Sequence, residues 1–387
     1  MAILTLPTAN GRLEDFSTSE RPMPTPAAEP FCRSALAAVH VVVDPLADGD
    51  PWLDAVPDWD ATIAYRRYIW GLGLGVAEAM DTAQRGMGLD WTGAQELIRR
   101  SIDAARDFPG AVLASGAGTD HLAPGPDVTV DDVIAAYEEQ CEFVENAGGS
   151  IVLMASRALA KCARGPDDFA RVYSHILSGV REPVIIHWLG EMFDPELAGY
   201  WGHDAYEAAM ATCLDVISDN AGKVDGVKVS LLDKDKEIAM RRRLPDGVRM
   251  YTGDDFNFAE LIAGDDEGYS DALLGIFDAI APAASSALGA LTRGESERFY
   301  EILEPTVALS RHIFQAPTRF YKTGVVFMAY LNGHQDHFTL IGGQQSARSL
   351  AHLAELFRLA DKAGLLRDPD LAAARMKTVL ALHGIEA

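Results

Sequence analysis

The sequence predicts an α/β fold: a TIM (β/α)8 barrel with a proline-rich N-terminal arm and an all-helical C-terminal extension. Three observations lead to this prediction. Short apolar runs alternate with amphipathic stretches, about eight such units lie within residues 34–294, and only helical patterns follow residue 295. Strands that alternate with helices form a parallel sheet, and this number of units fits a closed barrel better than an open sheet.

The first 33 residues form the predicted arm. Pro7, Pro22, Pro24, Pro26 and Pro30 stand there among polar residues. Because proline interrupts hydrophobic periodicity and lacks a backbone donor, we expect no periodic packed element in this segment. The predicted domains are therefore the arm at 1–33, the barrel at 34–294 and the helical extension at 295–387.

The barrel strands are predicted at eight apolar runs, which are residues 39–44, 76–82, 111–115, 151–156, 183–188, 226–231, 249–253 and 272–277. Amphipathic stretches such as 130–146 and 205–218 supply helices between them. The glycine-rich segment 71–75 precedes a strand instead of opening a helix, so it does not favour a dinucleotide-binding fold. The helices of the extension are predicted at residues 295–314, 323–331, 346–363 and 370–383.

The composition limits the partners of the protein. A formal net charge of −24 repels phosphate groups, which argues against nucleic acid and against an anionic membrane surface. The four cysteines form no CxxC pair, so neither a zinc knuckle nor a redox motif is supported. No signal-peptide pattern and no apolar stretch of membrane-spanning length is present. We therefore expect a cytoplasmic, soluble protein that acts on a small molecule without a cofactor.

Lys228 is the most informative residue of the predicted barrel. It interrupts the apolar run 224–232, which is otherwise typical of a buried parallel strand, and it shares one strand face with the small residues Gly226 and Ser230. Burial lowers the pKa of a lysine, and the unprotonated amine is the nucleophile that forms Schiff bases with carbonyl compounds. The alternative is a structural lysine that reaches water or pairs with Asp225 or Asp233.

Polar residues at the ends of several predicted strands are candidates for a site at one mouth of the barrel, where TIM barrels carry their catalytic groups. Each candidate also has a structural alternative, such as a turn, a helix cap, an ion pair or core packing. The candidates for substrate binding are Asp44, Asp81, Thr82, Arg157, Trp188, Ser230, Asp254 and Asp255, and His187 is a candidate catalytic residue.

From about residue 39 to residue 366, the chain resembles the dihydrodipicolinate synthase and N-acetylneuraminate lyase superfamily, and four segments carry the resemblance. Residues 225–230 are similar to its sixth strand, 251–255 to the Gly-Asp-Asp end of its seventh strand, and 112–119 to the glycine-rich end of its third strand. Ala316-Pro317 with Lys322 is similar to a segment of its helical extension. The resemblance implies a TIM barrel, a Schiff-base lysine at Lys228 and a homo-oligomer.

The sequence departs from the superfamily at three places. Residues 81–84 stand where the superfamily has paired threonines, which hold a 2-oxo carboxylate. Ser156-Arg157 stands where it has the tyrosine that relays protons. His187-Trp188 replaces a Tyr-Asn pair of the fifth strand. The chain is therefore expected to be a divergent branch, in which His187 is the first candidate for the base because imidazole titrates near neutral pH.

The predicted function is that of a class I aldolase or lyase acting on a small polyhydroxylated carbonyl compound, either a keto acid or a keto sugar. No metal is expected. Two alternatives stay open at this point. One is a metal-assisted lyase or isomerase, for which His334, Asp336 and His337 are the densest group of ligands. The other is a non-catalytic protein that binds a small molecule on an aldolase scaffold.

Overall fold

The computed structural model describes residues 2–386 and confirms the predicted TIM barrel with its C-terminal helical region. Eight parallel strands close in the order β10-β3-β4-β5-β6-β7-β8-β9. The strands of the described chain are β1 Ile3–Pro7, β2 Leu13–Ser17, β3 Ala35–Ala38, β4 Gly75–Glu78, β5 Leu113–Ala117, β6 Ser150–Leu153, β7 Val184–Leu189, β8 Val224–Ser230, β9 Arg249–Thr252 and β10 Asp271–Leu274.

Side-chain alternation divides the barrel into two apolar layers. Inward-facing residues of the strands fill the interior, together with methionines that follow β4 and β6. Outward-facing residues pack against the helices in one large core. The interior layer consists of Leu36, Ala38, Ala77, Met80, Ala114, Val152, Ile185, Tyr251 and Leu273, with Met154 against it.

The helices follow the strands in the alternating pattern that the sequence predicts, and four of them form the C-terminal region. They are α1 Trp59–Gly71, α2 Trp91–Arg106, α3 Val130–Ala147, α4 Arg157–Cys162, α5 Pro166–Gly179, α6 Tyr206–Asp219, α7 Lys234–Arg241, α8 Phe258–Ala263, α9 Ile276–Ala279, α10 Ala281–Thr292, α11 Ser296–Ile313, α12 Tyr321–Leu331, α13 Leu350–Lys362 and α14 Pro369–Leu382. None of these helices, within residues 2–386, has the length and apolarity that crossing a bilayer requires.

Helix α12 connects the extension to the barrel. Every residue from Tyr321 to Leu331 is buried, because the helix is apolar all round and packs against α9, α11, α13 and α14. Its first turn faces the C-terminal ends of the barrel strands, where Tyr321 contacts Gly275 and Thr82. A helix of the extension therefore supplies side chains to the mouth of the barrel.

The first strand begins earlier than predicted. The apolar run 39–44 is not a strand; the strand is Ala35–Ala38, which pairs with β10 and β4. Valine has a higher strand propensity than alanine, but pairing with two neighbouring strands outweighs this local preference. Residues 39–44 instead follow the strand as a mostly buried connection, in which Asp44 is partly exposed.

The arm contains a packed element that the proline count did not predict. Strands β1 and β2 form an antiparallel hairpin, and Leu4 and Leu6 bury one face of it against the C-terminal helices. The expectation of no periodic element is therefore wrong for residues 3–17. Met1 and Ala387, the ends of the predicted arm and extension, lie outside the described residues, and the domain limits at 33 and 294 stay a prediction.

Candidate active site

Two adjoining clefts open at the C-terminal ends of the barrel strands. The first, called the barrel cleft, encloses about 660 Å³ and reaches His187 on β7, Met154 after β6 and Gly118 after β5. The second, called the extension cleft, encloses about 710 Å³ and is lined by Arg319, Phe320 and Lys322 from the extension. Both clefts are lined by the same six residues at their junction: Asp81, Arg85, Gly86, Arg157, Leu189 and Asp194.

Lys228 lies on the inner face of β8, beside the barrel cleft. It is in register with His187 on β7, which lines that cleft, and with Tyr251 on β9. Gly253 leaves room for its side chain, because a Cβ atom there would lie 2.8 Å from Lys228 Cε and 2.1 Å from Ser230 Oγ. The lysine is 7% exposed, and its Nζ forms no hydrogen bond or ion pair within residues 2–386.

Opposing effects act on the charge of Lys228. Burial lowers its pKa, whereas the nearby carboxylates of Asp81 and Asp255 favour the protonated amine. Asp255 is buried after β9, and burial raises its pKa, although one of its oxygens accepts a hydrogen bond from the Ile276 backbone N–H at 2.9 Å. The site therefore contains a weakly basic amine and a weakly acidic carboxyl group in one buried environment.

His187 is also buried at this position. Its Nε2 lies 3.2 Å from Ser230 Oγ, and its Nδ1 has no hydrogen-bond partner among residues 2–386. Burial and the neighbouring Lys228 hold the pKa of the imidazole well below 6.5. Burial therefore disfavours the imidazolium form of His187, and its role as the base stays a prediction.

Asp81 and Thr82 begin the loop that follows β4. The Asp81 carboxylate lines both clefts and accepts no side-chain hydrogen bond from the described residues. Thr82 Oγ1 lies 2.8 Å from the hydroxyl of Tyr321, which stacks on Phe314 with ring centroids 4.3 Å apart. Tyr321 was not predicted as a site residue, because its proximity to the barrel arises from the docking of α12.

Arg157 lines both clefts and also forms an ion pair. It begins α4, and its Nε donates to Asp194 Oδ2 at 2.5 Å while its side chain stays 38% exposed. Ser156 caps this helix by accepting a hydrogen bond from the Leu159 backbone N–H. The guanidinium is therefore positioned at the junction of the clefts, with part of its donor face open.

Trp188 does not face the site. It lies one residue after His187 and so points to the outer side of β7, where its ring packs 5.8 Å from Tyr206 and 6.2 Å from Trp201. It is 4% exposed. The structure therefore does not bring this substrate-binding candidate to the clefts, because strand alternation directs its side chain into the layer between the barrel and the helices.

Two predicted carboxylates have structural contacts instead. Asp254 accepts hydrogen bonds from the backbone N–H groups of Phe256 and Asn257 and from the side-chain amide of Asn257. Asp44 accepts a hydrogen bond from the Leu46 backbone N–H at 2.9 Å and lines neither cleft. Both residues stabilise turns, and their assignment to substrate binding stays a prediction.

Arg85 is a residue of the clefts that the sequence did not predict. It is 3% exposed and donates to Asp120 Oδ2 at 3.0 Å, to the Gly116 carbonyl at 3.0 Å and to Gln140 Oε1 at 2.8 Å. These bonds join the loops after β4 and β5. Arg85 directly follows residues 81–84, and this position could have indicated that it lies near the site. The prediction included only residues at the strand ends.

The residues proposed as metal ligands point to different neighbours. The His334 ring packs against Tyr65 and Tyr68, and Asp336 Oδ1 accepts a hydrogen bond from Arg375 at 2.7 Å. Within residues 2–386, no group of three or more His, Cys, Asp and Glu side chains is arranged to hold a metal ion.

Three solved structures resemble the chain in fold. They are dihydrodipicolinate synthases from Aquifex aeolicus (12% identity, TM-score 0.63, 86% of this chain and 99% of that one), from Acinetobacter baumannii in complex with pyruvate (14%, 0.62, 86% and 99%) and from Bacillus anthracis (13%, 0.59, 91% and 99%). At these identities the similarity shows the fold alone, and it confirms the fold that the sequence resemblance implied.

Comparison with curated protein sequences gives no match. A family model described as "Protein of unknown function (DUF993)" matches residues 4–385, which is nearly the whole chain. The protein therefore belongs to the DUF993 family, whose fold in this chain is that of the dihydrodipicolinate synthases.

Proposed function

We propose that the protein is a class I aldolase or lyase that forms a Schiff base between Lys228 and a small polyhydroxylated carbonyl compound, a keto acid or a keto sugar. One observation carries this proposal: an amine at the mouth of a TIM barrel that is buried, unpaired and flanked by two carboxylates. A structural lysine in such a position is stabilised by a close ion pair or hydrogen bonds, and Lys228 has neither within the described chain.

The reaction begins when the neutral Lys228 amine attacks the carbonyl carbon: a C–N bond forms, the C=O π bond breaks, the carbonyl oxygen takes up one proton, and the nitrogen loses one. The carbinolamine then loses water, for which its hydroxyl needs a second proton, and an iminium remains. Asp255 is suited to supply a proton because its raised pKa keeps part of it protonated near neutral pH. The iminium then withdraws electrons for C–C cleavage, C–C formation or elimination of water.

Asp81 is the base that the geometry favours. It lines the cleft, its carboxylate is free of side-chain hydrogen bonds from the described residues, and it acts electrostatically on Lys228. His187 remains a candidate for orienting the substrate, because its neutral imidazole is a weak base but can donate or accept a hydrogen bond. Thr82, Ser230 and Arg157 are proposed to bind substrate hydroxyl or acidic groups.

The polarity of the barrel cleft agrees with a small polar substrate. Asp81, Thr119 and Asp120 give the cleft hydrogen-bonding groups for such a substrate. We further propose a cytoplasmic homo-oligomer that needs no metal. Light scattering that gives a mass near the 41.8 kDa of one chain would refute the oligomer. Activity that is lost to a chelator and restored by zinc or manganese would refute metal independence.

Borohydride trapping tests the proposed function. The protein is incubated with keto acids and keto sugars in the presence of borohydride, and intact mass followed by peptide mapping identifies a reduced adduct on Lys228. Lys228→Arg is the matched variant, because guanidinium stays protonated and does not form an imine. If no compound of the panel modifies Lys228, or if the adduct forms equally in the arginine variant, the Schiff-base function is wrong.

A further inference from the structure

The extension cleft contains a second buried lysine, and no carboxylate forms an ion pair with it within residues 2–386. Lys322 lines this cleft and is 3% exposed. Its Nζ donates to Met87 Sδ and to the Arg319 carbonyl, both at 3.1 Å. A thioether is a weak acceptor, so the three donors of this ammonium are poorly satisfied by the protein. A buried cation with such partners is costly unless something else neutralises it.

Further cations of the same cleft surround this lysine. Arg319 is exposed, lines the cleft and forms no ion pair with the described residues. Arg157 lines it from the opposite side with part of its guanidinium open to solvent. Four cations and two carboxylates thus line the cleft in a chain whose formal net charge is −24. The lining thus carries a local excess of positive charge in an acidic protein, although Arg157 pairs with Asp194 and Arg85 with Asp120.

We propose that the extension cleft is an anion subsite, in which Lys322, Arg319 and Arg157 bind a phosphate or carboxylate group of the substrate. Lysine binds such groups as a point charge and arginine as a two-pronged donor, so the set matches an oxyanion with several acceptor atoms. The anion would replace the sulfur contact of Lys322 with a charged hydrogen bond. These side chains would therefore bind an anionic ligand, which carries either a phosphate or a carboxylate group.

The subsite deepens the proposed function and rests on it for the carbonyl end of the substrate. Asp81 lies at the junction of the clefts and acts electrostatically on both Lys228 and Lys322. A molecule that spans the junction would place its carbonyl toward Lys228 and its anionic group toward Lys322. The substrate class is therefore a carbonyl compound with a second, negatively charged end.

Anion binding in the absence of any carbonyl compound tests the subsite. Inorganic phosphate and acetate are titrated separately into the whole protein by calorimetry at pH 7 and constant ionic strength. Lys322→Met removes the charge while keeping a chain of similar length beside Met87, and we expect it to weaken binding by about ten-fold or more. Arg319→Gln changes an exposed side chain, so we expect the fold to be kept and anion binding to weaken by about three-fold.

Arg67→Gln is the matched control, because Arg67 is an exposed arginine of α1 outside both clefts. Tighter binding of phosphate assigns a phosphate ester, and tighter binding of acetate assigns a carboxylate. The subsite is refuted if neither anion binds, or if both subsite variants bind as the wild type does. No imine forms in this experiment, so its result is independent of the borohydride test. If Lys228 is trapped but no anion binds, the subsite is wrong and the proposed function stands. If an anion binds but Lys228 is not trapped, the proposed function is wrong and the subsite stands.

Discussion

Two buried lysines lie near the C-terminal ends of the barrel strands: Lys228 on strand β8 and Lys322 on helix α12 of the extension. Burial lowers the pKa of both. Their surroundings differ in the contacts that they offer. Lys322 donates to a sulfur and a carbonyl oxygen and keeps a pKa of about 8, so it is mostly protonated at neutral pH. Lys228 has room beside Gly253 and no hydrogen-bond partner in the described chain.

The difference teaches that burial alone does not determine the role of a lysine. An amine that no hydrogen-bond partner holds in place, and whose side chain fits only because residue 253 is a glycine, is suited to form a covalent bond. A protonated amine held by weak acceptors is suited to bind an anion. In the proposed enzyme the two roles support each other, because a substrate held at its charged end is oriented at its carbonyl end.

The largest expected effect comes from the strand lysine. Lys228→Arg should lower turnover of a trapped carbonyl substrate by at least about 10³-fold, because the arginine cannot form the imine. Lys161→Arg, on the exposed side of α4, is the control and should keep wild-type turnover. Steady-state rates and circular dichroism check both variants. If Lys228→Arg retains a tenth of the wild-type activity, Lys228 does not form the essential imine, and the proposed difference in role between Lys228 and Lys322 is wrong.

Asp81→Asn tests the electrostatic effect of Asp81 on Lys228 and Lys322. The Asp81 carboxylate favours the protonated form of both, so its removal should lower the pKa of Lys228 and of Lys322. If Asp81 is also the base, turnover should fall by roughly 10²-fold, as for general bases elsewhere. The measurements are the pH profile of imine formation and the turnover number. An unchanged profile together with unchanged turnover would contradict both roles.

Glu237 is a buried titratable residue that lies outside both clefts, and it offers a comparison with the two lysines. Glu237 has a pKa raised to about 8 by burial, and its two oxygens accept hydrogen bonds from Thr252 and Ser270 at 2.9 and 2.7 Å. The folded state keeps its proton where the unfolded chain loses it, so the free energy of unfolding should fall as pH rises between about 4.5 and 8. The expected loss is on the order of 2 kcal/mol between pH 5.5 and 7.

Glu237→Gln is expected to remove this pH dependence, because the amide keeps an acceptor and carries no charge. Urea denaturation of both proteins at the two pH values measures it. Turnover should stay within about two-fold of wild type, since the residue lies between α7 and the outer face of the barrel. An equally steep pH dependence in the glutamine variant would assign the titration to another group.

The sequence was sufficient for the fold class because strand and helix patterns are local and repeat eight times. It misplaced the first strand, since the alanine-rich segment 35–38 has a weak local preference and its pairing with β10 spans the whole barrel. The hairpin at 3–17 was missed for a similar reason. Its buried face is defined by contact with helices more than 300 residues further along the chain.

In the site, the position of Lys228 followed from strand alternation, and the same rule assigns Trp188 to the outer face. Alternation does not apply beyond the strand ends, so the sequence could not separate Asp255, which acts on the lysine, from Asp254, which caps a turn. Tyr321 and Lys322 reach the mouth through the docking of α12, a tertiary contact that no periodicity in the chain specifies.

The smallest effect is expected from Asp44→Asn, which is the charge-matched counterpart of Asp81→Asn. Asp44 accepts one hydrogen bond from the Leu46 backbone N–H, and asparagine keeps an acceptor in that position. Asp44 lines neither cleft, whereas Asp81 lines both, so only the loss of Asp81 should alter the chemistry at the mouth. We expect turnover within about two-fold of wild type and a change in unfolding free energy within about 0.5 kcal/mol. Steady-state rates and urea denaturation measure the two quantities. A ten-fold loss of turnover in Asp44→Asn would mean that an acid outside the clefts also supports the reaction. The position of Asp81 at the junction of the clefts would then not explain its role.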